Sequence, residues 1–492
     1  MSLASKAYDS WVWLRKEILS QSAGKVAFAL LLALVIISVY AAITMPPDYN
    51  RYWNVGVYWR HNPKNAPPEW VSSLGYACVT HRSYDLRLAE PVQVSEGAGR
   101  LDISYNLTYD LGVKDYPQGV KVSVNIGVPQ GVRNLRLVLN LIKPDGVTLR
   151  RLIDYTADFI NTSVLKVDFD ELGGLTLAML EAYRDLVSRI DINEISLRPS
   201  KYLFGALILT DNREVAVTPL QGRYVFNIQL SFRVDGVSSQ DILKYLRRSQ
   251  TFLVVVVGTC YGIMGTDYQG RDLAEGLFYG FPIALVIGLL VALISSAIGV
   301  IAGLVSGYYG GFIDELIQRF VDILGSIPLL PILILVGKSI QVTYTGENKP
   351  LIMLATIFAV LIVFSWGGLA IVIRSMTLSL KSELYVEAAK AVGASNMRII
   401  SKHILPQLVP YIAASLVYST PNAIITEAGL SVLGIQHGFP TWGNILSEAR
   451  LNGTMAYWWW ILPPGFLIAI VSLTFVLLGL SLEKVVEPRL KR

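Results

Sequence analysis

Long runs without charge recur along this chain, separated by short charged segments, and one broad interval breaks the rhythm. The runs cover residues 26–45, 277–305, 351–373, 406–427 and 461–482, the fourth closing on Glu427. Each approaches or exceeds the roughly 20 apolar residues that cross a hydrocarbon core, so each predicts a transmembrane helix. Residues 320–340 add a sixth candidate, with Asp322 near its start and Pro328 and Pro331 interrupting it. Counting it sorts the cations of the short loops. Lys6, Arg15, Lys16, Lys25, Arg319, Arg374, Lys381, Lys390, Arg398, Lys402, Lys484, Arg489, Lys491 and Arg492 fall on one side, and Lys338, Lys349 and Arg450 on the other. Cytoplasmic loops collect Lys and Arg, so this predicts six spans with both termini in the cytoplasm. The length of the first run and the cations before it fit an uncleaved anchor better than a secretory signal.

The broad interval, residues 46–260, has a soluble composition and falls outside the cytoplasm in this topology. Apolar residues alternate with others at Val120, Val122, Val124 and Ile126, at Leu135, Leu137, Leu139 and Leu141, and at Tyr224, Phe226, Ile228, Leu230 and Phe232. That is the period of half-buried strands. Pro129-Gln130-Gly131 and Pro144-Asp145-Gly146 mark turns between them. The pattern predicts a β-sandwich with helices near 172–190 and 240–249, and a buried strand over 251–257, a run too short to span a bilayer. Cys78 and Cys260 bracket the interval in an oxidising compartment; a disulfide and two buried thiols both satisfy the sequence. Asn106-Leu107-Thr108 and Asn161-Thr162-Ser163 match the unspecific acceptor pattern for N-glycosylation.

The expected fold is therefore an all-α polytopic membrane protein of six transmembrane helices carrying a large β-rich extracytoplasmic insert. Its expected divisions are a cytoplasmic segment over 1–25, the first span over 26–45, the insert over 46–260, a core over 261–482 and a cytoplasmic tail over 483–492. Composition agrees: 53% of the residues are hydrophobic and 16% charged, against about 25% charged in soluble domains. A net charge of +5 is absorbed by the loop asymmetry, leaving nucleic acid without a case. Two cysteines and four scattered histidines have no metal-ligand spacing. Gly337-Lys338-Ser339 lacks the upstream glycine of a phosphate loop, since Ile332 holds that position, so ATP hydrolysis is expected on another polypeptide.

The loop over 374–405, expected in the cytoplasm, is long for a connection in a compact bundle, which suggests function. It holds Glu387-Ala388-Ala389, then Gly393 and Ser395, then Ile404-Leu405-Pro406. The alanines predict a helix with a smooth face for close approach, Gly393 a left-handed stop, Ser395 a cap for the next helix, and Pro406 the opening of the following span. Read as three letters alone, Glu-Ala-Ala is an ordinary alanine-rich amphipathic loop. Asp272 to Glu275 reads as a helix cap opening the second span, with Asp267 and Arg271 paired beside it. Glu427, an ionisable residue at the end of a span, suits either a functional role or packing against a neighbouring loop. Gly303 and Gly307 are spaced for close helix contact.

These motifs together resemble a family. Glu387-Ala388-Ala389, Gly393 and Ile404-Leu405-Pro406 look like the coupling loop of ATP-binding-cassette importer permeases of the dipeptide/oligopeptide/nickel group. The likeness runs through Gly265-Thr266-Asp267, Gly270-Arg271-Asp272, Gly307 to Asp314, Arg319, Asp322, Pro328, Trp366, Thr426 to Gly434, Trp442-Gly443-Asn444 and Glu487-Pro488-Arg489. The C-type subunit of dipeptide systems is the closer match, although such subunits usually carry a much shorter segment after the first span. The tail also lacks an aspartate common after Gly479.

The resemblance implies a type I importer permease fold and a division of labour. A second permease of the B type would complete the substrate path, two ATPases would bind ATP and magnesium, and an extracytoplasmic substrate-binding protein would deliver peptides or related small solutes. It implies no cofactor in this chain. It also implies that Glu387, Ala388, Ala389 and Gly393 contact an ATPase, while Gly265, Asp267, Gly270, Arg271, Asp272, Asp314, Arg319, Asp322, Pro406, Glu427 and Trp442 serve structure or interfaces. A secondary transporter or channel, and a membrane-anchored binding or sensor module built on the insert, are the competing readings.

Overall fold

The computed structural model describes residues 20–97, 99–159, 164–187, 192–210, 214–346 and 348–486. Two units emerge, one formed by the residues through Val55 together with those from Leu273, and one by Gly56–Asp272.

The first unit is helical. Its main helices are α1 (Ser22–Thr44), α2 (Leu273–Tyr309), α3 (Gly311–Ser326), α4 (Leu329–Thr343), α5 (Lys349–Ser365), α6 (Gly367–Lys381), α7 (Leu384–Ala391), α8 (Leu405–Val432), α9 (Trp442–Leu451) and α10 (Trp458–Val486). Among the described residues, five stretches are long and apolar enough to cross a membrane: α1, α2, α5 with α6, α8 with the turns before it, and α10. The single span expected over 320–340 is instead the pair α3 and α4, bent by 73°, which makes a sixth span only if the pair is counted as one. Pro328 causes the break. It stands in extended backbone before α4 (φ −70°, ψ 116°), lacks an N–H and disfavours helix in the residue before it.

A tight seam joins α2 to α6. Gly299, Gly303 and Gly307 repeat every four residues, which puts them on one helix face. A Cβ at each would lie 2.7, 2.6 and 2.7 Å from the carbonyl oxygens of Trp366, Ala370 and Arg374. Those carbonyls repeat every four residues as well, so backbone meets backbone along two turns, and Ala370 and Ile373 are fully buried. Hydrophobic burial hardly drives helices together in lipid, so close van der Waals contact of this kind carries the association.

The second unit is built from β1 (Arg82–Asp85), β2 (Gln93–Gly97), β3 (Arg100–Leu111), β4 (Gly119–Gly127), β5 (Val132–Ile142), β6 (Thr148–Asp158), β7 (Val164–Phe169), β8 (Gly205–Leu209), β9 (Val215–Pro219), β10 (Gly222–Val234) and β11 (Thr251–Val257). One sheet runs β1-β11-β4-β7, a second β2-β3-β10-β5-β6, and β8 pairs with β9. The alternating residues of β4, β5 and β10 enter one shared core, which makes a sandwich. The helix expected over 172–190 breaks at Tyr183 into Leu175–Ala182 and Arg184–Val187; residues 188–190 lie outside the described residues. Tyr183 leaves helical backbone (φ −126°, ψ 45°), and its hydroxyl accepts from Lys143 Nζ at 3.1 Å. Asn106 sits within β3 and accepts from the Asn227 amide at 2.8 Å, while Asn161-Thr162-Ser163 lies outside the described residues.

Cys78 and Cys260 are disulfide-bonded, with Cα atoms 5.5 Å apart. Nearby, Asn62 Nδ2 donates to the Gly270 carbonyl (2.9 Å), the Ala66 N–H to Thr266 Oγ1 (3.0 Å) and the Val79 N–H to Thr259 Oγ1 (2.9 Å). The first and last segments of this unit are thereby stitched side by side. His81 packs edge-on against Tyr261 at 5.3 Å. Burial, with Lys121 and His61 nearby, pushes its imidazole down to about 4.

Two outcomes follow from this packing. Gly303→Ala is expected to destabilise the helical unit by about 1–3 kcal/mol, the usual cost of overpacking, whereas Gly465→Ala, in open space on α10, should be neutral or slightly stabilising. Denaturant unfolding in detergent micelles measures both, and equal effects would refute the seam. His81 is neutral in the fold but has a pKa of about 6.5 when unfolded, so its contribution is complete above that pH and drains away as pH falls toward 4. The melting temperature of the β unit should therefore drop across that window, and His81→Asn should flatten the slope; an unchanged slope would count against it.

Candidate functional site

The segment after α6 is a bent knuckle. Val386 on α7 is fully buried among Val300, Leu304 and Tyr308 of α2, Ile373 of α6, and Ile399 and Ile404 beyond the bend. Lys381 and Lys390 lie over the Tyr308 ring at 5.5 and 6.0 Å, and the Tyr308 hydroxyl donates to Asn396 Oδ1 at 2.9 Å. Gly393, at φ +85°, ends α7. The Gly393 N–H reaches the Lys390 carbonyl (2.9 Å) and the Ala394 N–H the Ala389 carbonyl (3.0 Å), closing the helix end. Ser395 takes the extended backbone of a cap before the turn Asn396–Ile399, but its hydroxyl makes no capping bond.

The helix then widens into a π turn over Ile400–Ile404 and runs on as α8. Pro406 thus lies within a continuous helical path rather than at its opening. A proline there lacks an N–H and crowds the preceding turn, and the wider π turn accommodates both.

Glu387, Ala388 and Gly393 are exposed and Ala389 is half-buried. Beside them Leu384, Val392 and Met397 are 81%, 89% and 72% exposed. These three were missed in the sequence, although the four-residue spacing of Leu384, Ala388 and Val392, out of phase with Val386, signals an outward apolar stripe.

Other polar residues brace the bundle. Arg374 on α6 makes two bonds to Asp314 on α3, at 2.5 and 2.6 Å, and Ser306 of α2 donates to the same carboxylate. Arg374 had shown only as a loop cation. Arg319 meets exposed Glu315 at 3.5 Å, and Asp322 is exposed. Glu427 is buried and accepts from Ser431 Oγ (3.0 Å), His437 Nε2 (2.8 Å) and Thr441 Oγ1 (2.8 Å). His437 Nδ1 accepts from the Phe439 N–H at 3.2 Å, so Nε2 is the nitrogen that donates to Glu427. Glu427 therefore holds down the loop that follows its own helix. Trp442, fully buried, donates from its indole to the Leu277 carbonyl (3.0 Å) and packs edge-on against Phe281 at 5.0 Å.

In the β unit, Asp267 and Arg271 form an ion pair with both side chains 1% exposed. Asp267 Oδ1 also accepts from the N–H groups of Gln269 (2.8 Å) and Arg271 (2.9 Å). Gly265 and Gly270 have positive φ, and a Cβ on Gly270 would lie 2.9 Å from the Trp59 carbonyl oxygen. Thr266 bridges to Asp272, the residue directly before α2.

Long apolar helices, a glycine-lined seam and an anchored knuckle define an integral membrane subunit. Residues 299–492 match the model of the binding-protein-dependent transport system inner membrane component. The dipeptide transport system permease protein DppC of Bacillus subtilis is 36% identical over 230 residues, covering 46% of this chain and 69% of that protein. The oligopeptide transport system permease proteins OppC of Haemophilus influenzae and Salmonella typhimurium are 36% and 37% identical, covering 46% of this chain and 71% and 72% of theirs. The chain belongs to this family: it is a permease subunit of a binding-protein-dependent ATP-binding-cassette transporter, a multi-pass membrane protein and not itself an ATPase.

Asp314→Asn and Arg374→Gln should each lower the unfolding midpoint, and the double variant should lose less than their sum. A double-mutant cycle is expected to give a coupling of about 1–3 kcal/mol; a value near zero would show that the α3–α6 contact does not depend on this pair.

Proposed function

We propose that this permease imports peptides or related small solutes, together with a second permease of the dipeptide/oligopeptide B type, two ATPases and an extracytoplasmic substrate-binding protein. The names of the dipeptide and oligopeptide relatives support that solute class. Both termini and the knuckle lie in the cytoplasm in this reading, consistent with the loop cations, and the β unit lies outside it.

The observation that carries the coupling role is the outward stripe of Leu384, Ala388 and Val392 on a helix pinned by buried Val386. The stripe meets an ATPase groove, Glu387 fixes orientation, Ala388 and Ala389 admit close approach, and Gly393 makes the bend. Val386 shares its cluster with residues of α2, α6 and α8, so a displacement of α7 is transmitted into three helices at once.

Glu387→Ala, Gly393→Val and Val392→Asp, assembled with their partners in vesicles, should keep ATP hydrolysis while uptake falls about tenfold or more, a loss of at least about 1.4 kcal/mol of coupling. Undiminished uptake by all three would overturn the assignment.

A further inference from the structure

A cleft of about 600 Å³ opens in the β unit, with Arg60, Lys64, Lys121, Asp170, Glu171 and Gln269 among its walls. All six belong to the unit Gly56–Asp272. Those side chains carry 3 − 2 = +1 charge, and the charges are unevenly satisfied. The Arg60 guanidinium is taken up by Asp168 and by Asp170, the latter at 3.0 Å. Lys121, half-buried on β4, donates to the Arg60 carbonyl but has no carboxylate within ion-pair distance among the described residues. Lys64 and Glu171 are exposed at the same cleft, and no ion pair holds either among the described residues.

Asp170 acts on Lys121 only from beyond ion-pair distance, so the half-buried ammonium is incompletely compensated, and an incoming carboxylate would offset the cost of burial with charge-assisted hydrogen bonds. Glu171 offers the complementary acceptor for an ammonium. The volume falls in the ordinary range for small-molecule sites.

We propose that this cleft binds a zwitterionic amino acid or short peptide, with Lys121 and Lys64 on its carboxylate and Glu171 on its ammonium. The choice of a peptide rests on the import reading above; the carboxylate contact does not.

Calorimetric titration of the full-length permease in lipid nanodiscs, without ATPases, tests this with Ala-Ala, its C-terminal amide and N-acetyl-Ala-Ala. Ala-Ala should saturate, and the amide should bind about tenfold more weakly or worse. Lys121→Met should lose about tenfold, and Lys64→Gln, at an exposed position that leaves folding intact, should lose in the same direction. Glu171→Gln should weaken Ala-Ala but not its N-acetyl form. Absence of saturation, equal binding of Ala-Ala and its amide, or wild-type affinity in both lysine variants would overturn the proposal. With no ATPase present, such a failure leaves the coupling reading untouched. Normal Ala-Ala binding beside undiminished uptake by the α7 variants would sink the coupling reading alone.

Discussion

The close approach of α2 and α6 is the constraint on which the helical unit depends. Three glycines on one face meet three carbonyls on the other, with the side chains of Leu369, Ile373 and Thr377 packed beside them, so the two backbones approach closely. Such contact is stiff, because neither partner can rotate without driving a Cβ or a carbonyl into its neighbour. The Asp314–Arg374 pair and Ser306 tie α3 into the same region, and the knuckle's Val386 packs against residues of both seam helices. A load applied at α7 therefore meets a rigid body.

The β unit solves a different problem. Its core comes from two antiparallel sheets whose inward residues alternate along β3 and β10, with the pattern interrupted at buried Ser123 in β4 and near the start of β5. Its first and last segments are joined by a disulfide and by backbone bonds, and the buried Asp267–Arg271 pair shapes the turn that leaves it. Closing a loop of separation 182 removes unfolded-state entropy worth about 5 kcal/mol in the chain-entropy picture. Chemistry of both charge signs lies beside this join, in the cleft bounded by Lys121 and Glu171.

Much of this was legible from local pattern. Charge-free runs marked the long helices because a bilayer tolerates little else, and strict alternation marked strands such as β10 because the pleat has period two. What escaped detection depends on context beyond the pattern. The 73° bend between α3 and α4 follows from Pro328, which was visible, but how far a proline turns a chain is decided by what packs around it. The π turn before Pro406 has no compositional mark. Arg374 looked like any loop cation until α3 brought Asp314 to it, and two of the partners of Glu427 lie 10 and 14 residues onward, past the end of α8, along a path the sequence does not trace.

The stitching of the first and last segments of the β unit has an evolutionary corollary. A module whose two ends leave as neighbours can be grafted into a short connection between consecutive helices without prying them apart, much as a bead is threaded on a doubled cord. Such a module can be enlarged, exchanged or lost while the helical unit keeps its own geometry.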